Sequence, residues 1–138
     1  MDGTLTIADD VAPKANRWRR LAVRRGEFLS ADAFCRRRAI SPAELQRLER
    51  RGDAFSLEII AHKRYYPAVL ASVRGVRRLR LDRLCRLLKS IPEESMRLDA
   101  LTAARIPLGN RSVMRSLSMG VAYRRARWFV EATVREYT

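Results

Sequence analysis

Cysteine and histidine are scarce in this chain of 138 residues, which contains two Cys and one His. Cys35 and Cys85 are isolated, so neither a disulfide scaffold nor a zinc site of closely spaced cysteines is expected. The single His62 leaves few side chains for nucleophilic catalysis. Motifs of phosphate-binding loops, dinucleotide folds, zinc proteases and serine hydrolases are also missing. We therefore expect no enzyme activity, no metal and no cofactor, and a cytoplasmic location.

Long hydrophobic runs are missing as well, since nothing approaches the roughly eighteen consecutive apolar residues that a membrane-spanning helix needs. The first residues, MDGTLTIADDVAPK, are acidic and lack an apolar core, which argues against a secretory signal. Hydrophobic residues still make up 47% of the sequence, too large a share for a disordered basic tail. The length predicts one compact domain or two very small ones.

Acidic residues are few relative to basic ones, with 15 Asp and Glu against 29 Lys and Arg, for a formal charge of +14. Such a charge attracts polyanions, of which nucleic-acid backbones are the commonest. The segment 67–91 is the most basic, with seven basic residues and one acidic residue. Only three of the basic residues are Lys, so composition bias toward Arg is an alternative explanation.

The best-defined local pattern is a pair of helices joined by a short turn. Ser30 is a plausible N-cap for a helix over residues 31–38. Ser41-Pro42-Ala43-Glu44 has the form of a capping box and predicts a second helix that runs to Arg51, where Gly52 ends it. Before this pair, we expect a loose arm over residues 1–12 and a basic helix over residues 14–25.

After the helix pair the hydrophobic period changes from helical to alternating. Residues 55–59 alternate apolar and polar side chains, which predicts a half-buried strand. A turn at 61–63 and a returning strand at 64–66 complete a hairpin, and Pro67 then starts a short helix to residue 73.

The remainder of the chain is predicted to be helical. Leu81, Leu84, Cys85 and Leu88 recur at helical spacing, which indicates an amphipathic helix. Cys85 on this helix and Cys35 on the helix over residues 31–38 are expected to be buried as small apolar residues. Further helices are expected over residues 92–104, 112–119 and 121–137, with a loop at 106–110. The expected apolar face of the last helix consists of Ala122, Ala126, Phe129, Val130, Thr133 and Tyr137.

Two helices with a tight turn, the second rich in exposed Arg, fit a helix-turn-helix that reads duplex DNA. In such modules the second helix enters the major groove, where Arg matches guanine and Gln matches adenine. The hairpin would be a wing whose tip contacts phosphate or the minor groove. The alternative is an ordinary helical pair with a solvated charged face. The candidate DNA-contacting residues are Ser41, Gln46, Arg47, Arg50, Arg51, His62, Lys63 and Arg64.

Two resemblances accompany these patterns. Residues 28–67, with a helix pair and a hairpin ending in Tyr-Tyr-Pro, resemble small bacterial winged-helix DNA-binding proteins. Within residues 92–138, the stretch Leu108-Gly109-Asn110-Arg111-Ser112-Val113-Met114 resembles the loop and helix of the Xre/MbcA/ParS-like antitoxin toxin-binding domain. This second resemblance implies a helical tail that dimerises and binds an NAD-consuming toxin. The motif-matching positions are Leu108, Gly109 and Ser112.

Together these features predict a mainly α fold, with a winged-helix-like helix-turn-helix and one small β-hairpin, followed by a helical C-terminal region. The expected parts are an arm and basic helix (1–26), a DNA-binding module (27–74) and a dimerisation or partner-binding region (75–138). We expect a homodimeric, sequence-specific transcriptional regulator that binds double-stranded DNA. The alternatives are an antitoxin-like module that neutralises a toxin, a non-specific nucleic-acid binder, and a single-strand binder that stacks bases on its Trp and Tyr side chains.

Overall fold

A computed structural model of the chain describes residues 17–60 and 62–137. The predicted arm, the first residues of the predicted basic helix and Ala61 of the predicted turn lie outside them. The helices are α1 (17–24), α2 (Ala31–Arg38), α3 (Pro42–Arg51), α4 (Val69–Ser72), α5 (Val76–Leu88), α6 (Glu94–Thr102) and α7 (Gly120–Arg135). The strands are β1 (Phe28–Leu29), β2 (Leu57–Ile60) and β3 (Lys63–Pro67). The predicted mainly α fold with a small hairpin is confirmed.

The caps of the helix pair form as the sequence predicts. Ser30 Oγ accepts a hydrogen bond from the N–H of Ala33 at 3.2 Å. At the start of α3, Ser41 Oγ accepts from the N–H of Glu44 at 3.1 Å, and Glu44 Oε1 accepts from the N–H of Ser41 at 3.3 Å. These bonds satisfy amide groups that the first helical turn leaves without partners, so both helices begin at defined residues.

Gly52 ends α3 in the left-handed region, with φ of 88°. The side chain of Lys89, just after α5, lies against it, and a Cβ at position 52 would come within 2.9 Å of Lys89 Cδ. The backbone angle therefore favours glycine here, and an added Cβ would also force the Lys89 side chain to move. Lys89 Nζ also donates to the carbonyl oxygen of Arg50 at 2.5 Å, which joins the ends of α3 and α5.

The sheet contains one strand more than the predicted hairpin. β1 pairs antiparallel with β3, so that the strand order is β1-β3-β2. β2 pairs with β3 through Leu57 opposite Tyr65 and Glu58 opposite Arg64, with an irregularity before Ile60. The predicted strand at 55–59 is corrected to Leu57–Ile60, because Phe55 and Ser56 are buried but unpaired in the ladder.

A single cluster of buried residues joins the helix pair, the sheet and the C-terminal helices. Phe34 of α2, Leu84 of α5, Leu101 of α6 and Val130 of α7 are all fully buried members of it. The ring of Phe34 lies 5.0 Å from that of Tyr66, which joins α2 to β3. The predicted core positions of α5 are all buried, including Cys85. The core therefore spans the predicted boundary at residue 74.

The C-terminal third departs from the predicted helices. The expected helix over 112–119 is only a short 3-10 turn, Met114–Ser116, and α4 is shorter than predicted. In α7 the buried residues are Tyr123, Ala126 and Val130. The predicted face contains Ala126 and Val130 but lacks Tyr123, and two of its members, Ala122 and Phe129, are only partly buried. Trp128 of the same helix is 59% exposed.

Candidate nucleic-acid interface

The exposed face of α3 carries Gln46, Arg47 and Arg50, while Leu45 is buried on the opposite side. The capping box fixes where the helix begins, so the helical period sets which residues face outward. In the part of the chain that the structure describes, the guanidinium groups of Arg47 and Arg50 make no hydrogen bond or ion pair. Both are therefore available to an external acceptor.

Arg51 and Ser41 differ from these residues because each already has a partner in the fold. Arg51 Nε lies 3.5 Å from Oδ2 of Asp53, a carboxylate whose side chain is 1% exposed. Arg86 of α5 holds the same carboxylate through Nε and, at 3.0 Å, through Nη2. Ser41 Oγ caps α3. These two predicted contact residues thus stabilise the helix that would read DNA.

The three predicted hairpin-tip residues are also not equivalent. His62 lies at the tip with φ of 62°, and its N–H donates to Glu58 Oε1 at 3.0 Å. Lys63 is exposed beside it. Arg64 Nε and Nη2 instead donate to Oγ and O of Ser56 at 2.8 and 2.7 Å, and Nη2 pairs with Glu94 at 3.1 Å. Arg64 therefore fastens the hairpin to α6, leaving His62 and Lys63 at the tip.

A hydrogen bond fixes α3 against the hairpin. The hydroxyl of Tyr66, a buried residue of β3, donates to Glu49 Oε1 on α3. Burial raises the pKa of the Glu49 carboxyl above its ordinary value, and the nearby charge of Arg64 opposes the rise. The exposed side of α3 and the hairpin tip therefore keep a set orientation relative to each other.

This contact predicts a pH-dependent effect of Glu49→Gln. Glutamine still accepts the Tyr66 hydrogen bond but has no charge to desolvate. Because the pKa of Glu49 lies above its ordinary 4.5 in the folded state, the native protein binds more protons than the unfolded chain, and the contribution of Glu49 to stability falls as pH rises through this pKa. We expect the variant to gain stability over wild type as pH rises, and to have the same stability below about pH 4.

Urea unfolding of both proteins between about pH 3 and pH 8 measures this difference. Glu136→Gln, at an exposed position directly after α7, is the matched control, because it makes the same chemical change outside the core. An advantage of Glu49→Gln that is constant with pH would contradict the assigned desolvation.

Sequence reasoning missed a group of arginines around the first turn of α5, although it identified segment 67–91 as the most basic. The first cleft, of about 280 Å³, lies on one side of this turn and includes Arg37, Arg74 and Arg78 in its lining. The second cleft, of about 460 Å³, lies on the other side and includes Arg77, Arg111 and Arg115. We call these six residues the α5 arginine cluster.

Two of the predicted partner-binding residues lie at another groove. Leu108 and Gly109 line this groove of about 340 Å³ together with Met119, Val121 and Ala122, and its polar lining consists of Ser116, Arg125 and Arg111 of the α5 arginine cluster. Met119 and Val121 are each 62% exposed. Ser112 is buried and instead accepts a hydrogen bond from the N–H of Arg115 at 3.2 Å, so its role is to shape the loop.

Comparison of the chain with models of protein families, with curated proteins and with solved structures yields no match.

Within residues 17–60 and 62–137, no helix has the length and apolarity required to cross a membrane. No group of three or more His, Cys, Asp or Glu side chains among the same residues is arranged to hold a metal ion. Cys35 and Cys85 are buried and free, and burial raises the pKa of both thiols, which disfavours the reactive thiolate.

Proposed function

We propose that this protein is a sequence-specific duplex DNA-binding protein that acts as a bacterial transcriptional regulator. The observation that carries the proposal is the outer face of α3, where Arg47 and Arg50 are exposed and without partners on a firmly capped helix. The order of elements supports a winged helix-turn-helix arrangement. A helix and a short strand precede the helix pair, and a hairpin follows it and pairs with that strand.

In this proposal α3 lies in the major groove of the duplex. Arg47 and Arg50 donate bidentate hydrogen bonds to guanine edges, and Gln46 bonds to adenine. His62 and Lys63 at the hairpin tip contact phosphate or the adjacent minor groove. The bond between Tyr66 and Glu49 holds the two contact regions at a set angle, so that their positions on the duplex are coupled.

A homodimer completes the proposal, because short recognition modules gain affinity from two half-sites about 34 Å apart. Exposed apolar side chains on α7 offer an interface. Val121 and Trp128 lie two turns apart on this helix and are 62% and 59% exposed. Sedimentation of the wild-type protein and of Trp128→Glu would test this surface, with a shift to monomer expected for the variant.

Fluorescence polarisation tests the proposed function directly. The protein is titrated with DNA from upstream of its gene, with a random-sequence duplex and with a single strand, each at two salt concentrations. We expect the upstream duplex to bind at least about a thousandfold more tightly than the random duplex near physiological salt. Equal, weak binding to all three, abolished by salt, would instead favour a non-specific binder.

The groove between Leu108 and Val121 favours a second candidate function, in which an antitoxin-like surface binds and neutralises a toxin. Exposed apolar residues beside a concave surface are typical of protein-binding sites. Calorimetry with the product of a neighbouring gene would test this function. Val121→Glu should abolish binding, whereas Val76→Glu, equally exposed but outside the groove, should not.

A further inference from the structure

We propose that the α5 arginine cluster is a second phosphate-binding surface. It binds the backbone of duplex DNA at a distance from the face of α3 that reads the bases. The inference rests on the proposed function and extends it, because it assigns the sequence-independent part of the affinity to residues outside the helix-turn-helix and hairpin tip.

The geometry of the cluster presents cations on both sides of one helical turn. Arg77 and Arg78 are consecutive in the first turn of α5 and face different clefts. Arg37 reaches the first cleft from the last turn of α2, the helix joined to α3 by the short turn. The cluster therefore adjoins the helix pair and extends the positively charged surface into the C-terminal region.

The backbone of the second cleft is fixed without using its guanidinium groups. The N–H of Arg105 donates to the carbonyl oxygen of Arg111 at 3.0 Å, and the N–H of Arg115 donates to Ser112 Oγ at 3.2 Å. The side chains thus project from positioned backbone, which reduces the entropy lost when they bind a phosphate.

The guanidinium groups of the cluster are largely unused by the fold. Arg37, Arg74, Arg77, Arg111 and Arg115 are exposed and make no side-chain hydrogen bond or ion pair with any described residue. No Asp or Glu lines either cleft.

The next arginine along α5 differs from the cluster because the fold already uses its guanidinium group. Arg80, one turn beyond Arg77, donates to the carbonyl oxygen of Leu117 at 2.7 Å and lies over the ring of Tyr123. Arg38, which borders the first cleft, is similarly occupied by Asp82 and the carbonyl oxygen of Leu70.

The spread of the cluster favours a polyanion over a small anion. A single phosphate would engage one or two guanidinium groups and leave the others repelling one another. A nucleic-acid backbone supplies a series of phosphates, and each one neutralised releases counterions to the solvent. Duplex DNA is the polyanion that the neighbouring helix α3 is proposed to bind, so one ligand would satisfy both surfaces.

The experiment compares the salt dependence of duplex binding in matched double variants. Arg77→Ala/Arg115→Ala removes two cations from the second cleft. Arg24→Ala/Arg83→Ala removes two exposed cations that line neither cleft and lie outside α3, the hairpin and the proposed dimer surface of α7. Thermal unfolding followed by circular dichroism confirms that both variants fold like wild type, as expected for exposed side chains.

We expect the slope of log affinity against log salt to decrease by about 1.8 in the cleft variant. A fourfold rise in salt should then weaken wild-type binding about twelvefold more than it weakens binding of the variant. The ratio of affinities for the upstream and random duplexes should stay the same, because phosphate contacts carry no sequence information. Arg77→Lys/Arg115→Lys should restore the wild-type slope, because a charge at each position is sufficient.

A wild-type slope in the cleft variant, or an equal decrease in the control variant, would overturn the inference while leaving the proposed function in place. If the wild-type protein binds no duplex at any salt concentration, the proposed function fails, and the inference fails with it.

Discussion

Replacing Arg47 or Arg50 by Ala is expected to weaken binding to the cognate duplex by about 1–3 kcal/mol for each side chain, or roughly 5- to 150-fold. Each guanidinium group is exposed on α3 and has no partner among the described residues, so its loss should remove the proposed DNA contact without disturbing the fold. Affinity for random duplex should fall much less, and base preference at the contacted position should relax. Competition titrations with single-base variants of the site measure both effects.

Arg83→Ala is the control for this prediction, since it removes the same charge from an exposed position on α5. It should change cognate and random binding equally and only slightly. Unchanged cognate affinity in both Arg47→Ala and Arg50→Ala would remove α3 as the recognition helix. The conservative variants Arg47→Lys and Arg50→Lys should also lose discrimination, because lysine lacks the planar fork that matches a guanine edge.

Asp82→Ala is expected to destabilise the protein by about 3–5 kcal/mol, because it leaves a buried cation without its counter-charge. The side chain of Arg38 is 2% exposed, and its Nη2 lies 3.2 Å from Asp82 Oδ1. Nη1 donates to the carbonyl oxygen of Leu70 at 3.3 Å, so this one side chain joins α2, α4 and α5. Urea unfolding at pH 7 measures the loss.

Two controls separate this ion pair from a general effect of losing a carboxylate. Asp99→Ala breaks a pair with Arg105 in which Asp99 is 67% exposed, and should cost at most about 1 kcal/mol. The double variant Arg38→Met/Asp82→Leu removes both buried charges and should recover most of the stability lost in Asp82→Ala. Equal losses in Asp82→Ala and Asp99→Ala would contradict the assigned burial penalty.

Elements whose determinants are local in sequence could be predicted closely. The bounds of α2 and α3 follow from Ser30, the capping box at Ser41 and Gly52, each of which acts within one helical turn. The core face of α5 follows from the spacing of its leucines. β1 could not be predicted, because a strand of two residues has no alternation and exists only through its pairing with β3. The residues of α7 that face the core could be predicted only in part, because small and aromatic residues occur all around this helix.

In the candidate site, too, features set by local spacing could be predicted, and those set by distant partners could not. The spacing of α3 indicated that Gln46, Arg47 and Arg50 face outward, and the structure places them there. Arg51 and Arg64 have the same chemistry in the sequence, but their partners Asp53, Ser56 and Glu94 hold them within the fold.

The sequence by itself determined the excess of positive charge, the scarcity of residues for catalysis and metal binding, and the caps of the helix pair. These depend on composition or on neighbours a few residues apart. Only the tertiary structure decided which arginines stabilise the fold and which are left for a ligand. Partners such as Arg38 and Asp82 are 44 residues apart in the chain, and an ion pair depends on distance in space, which the folded core alone sets.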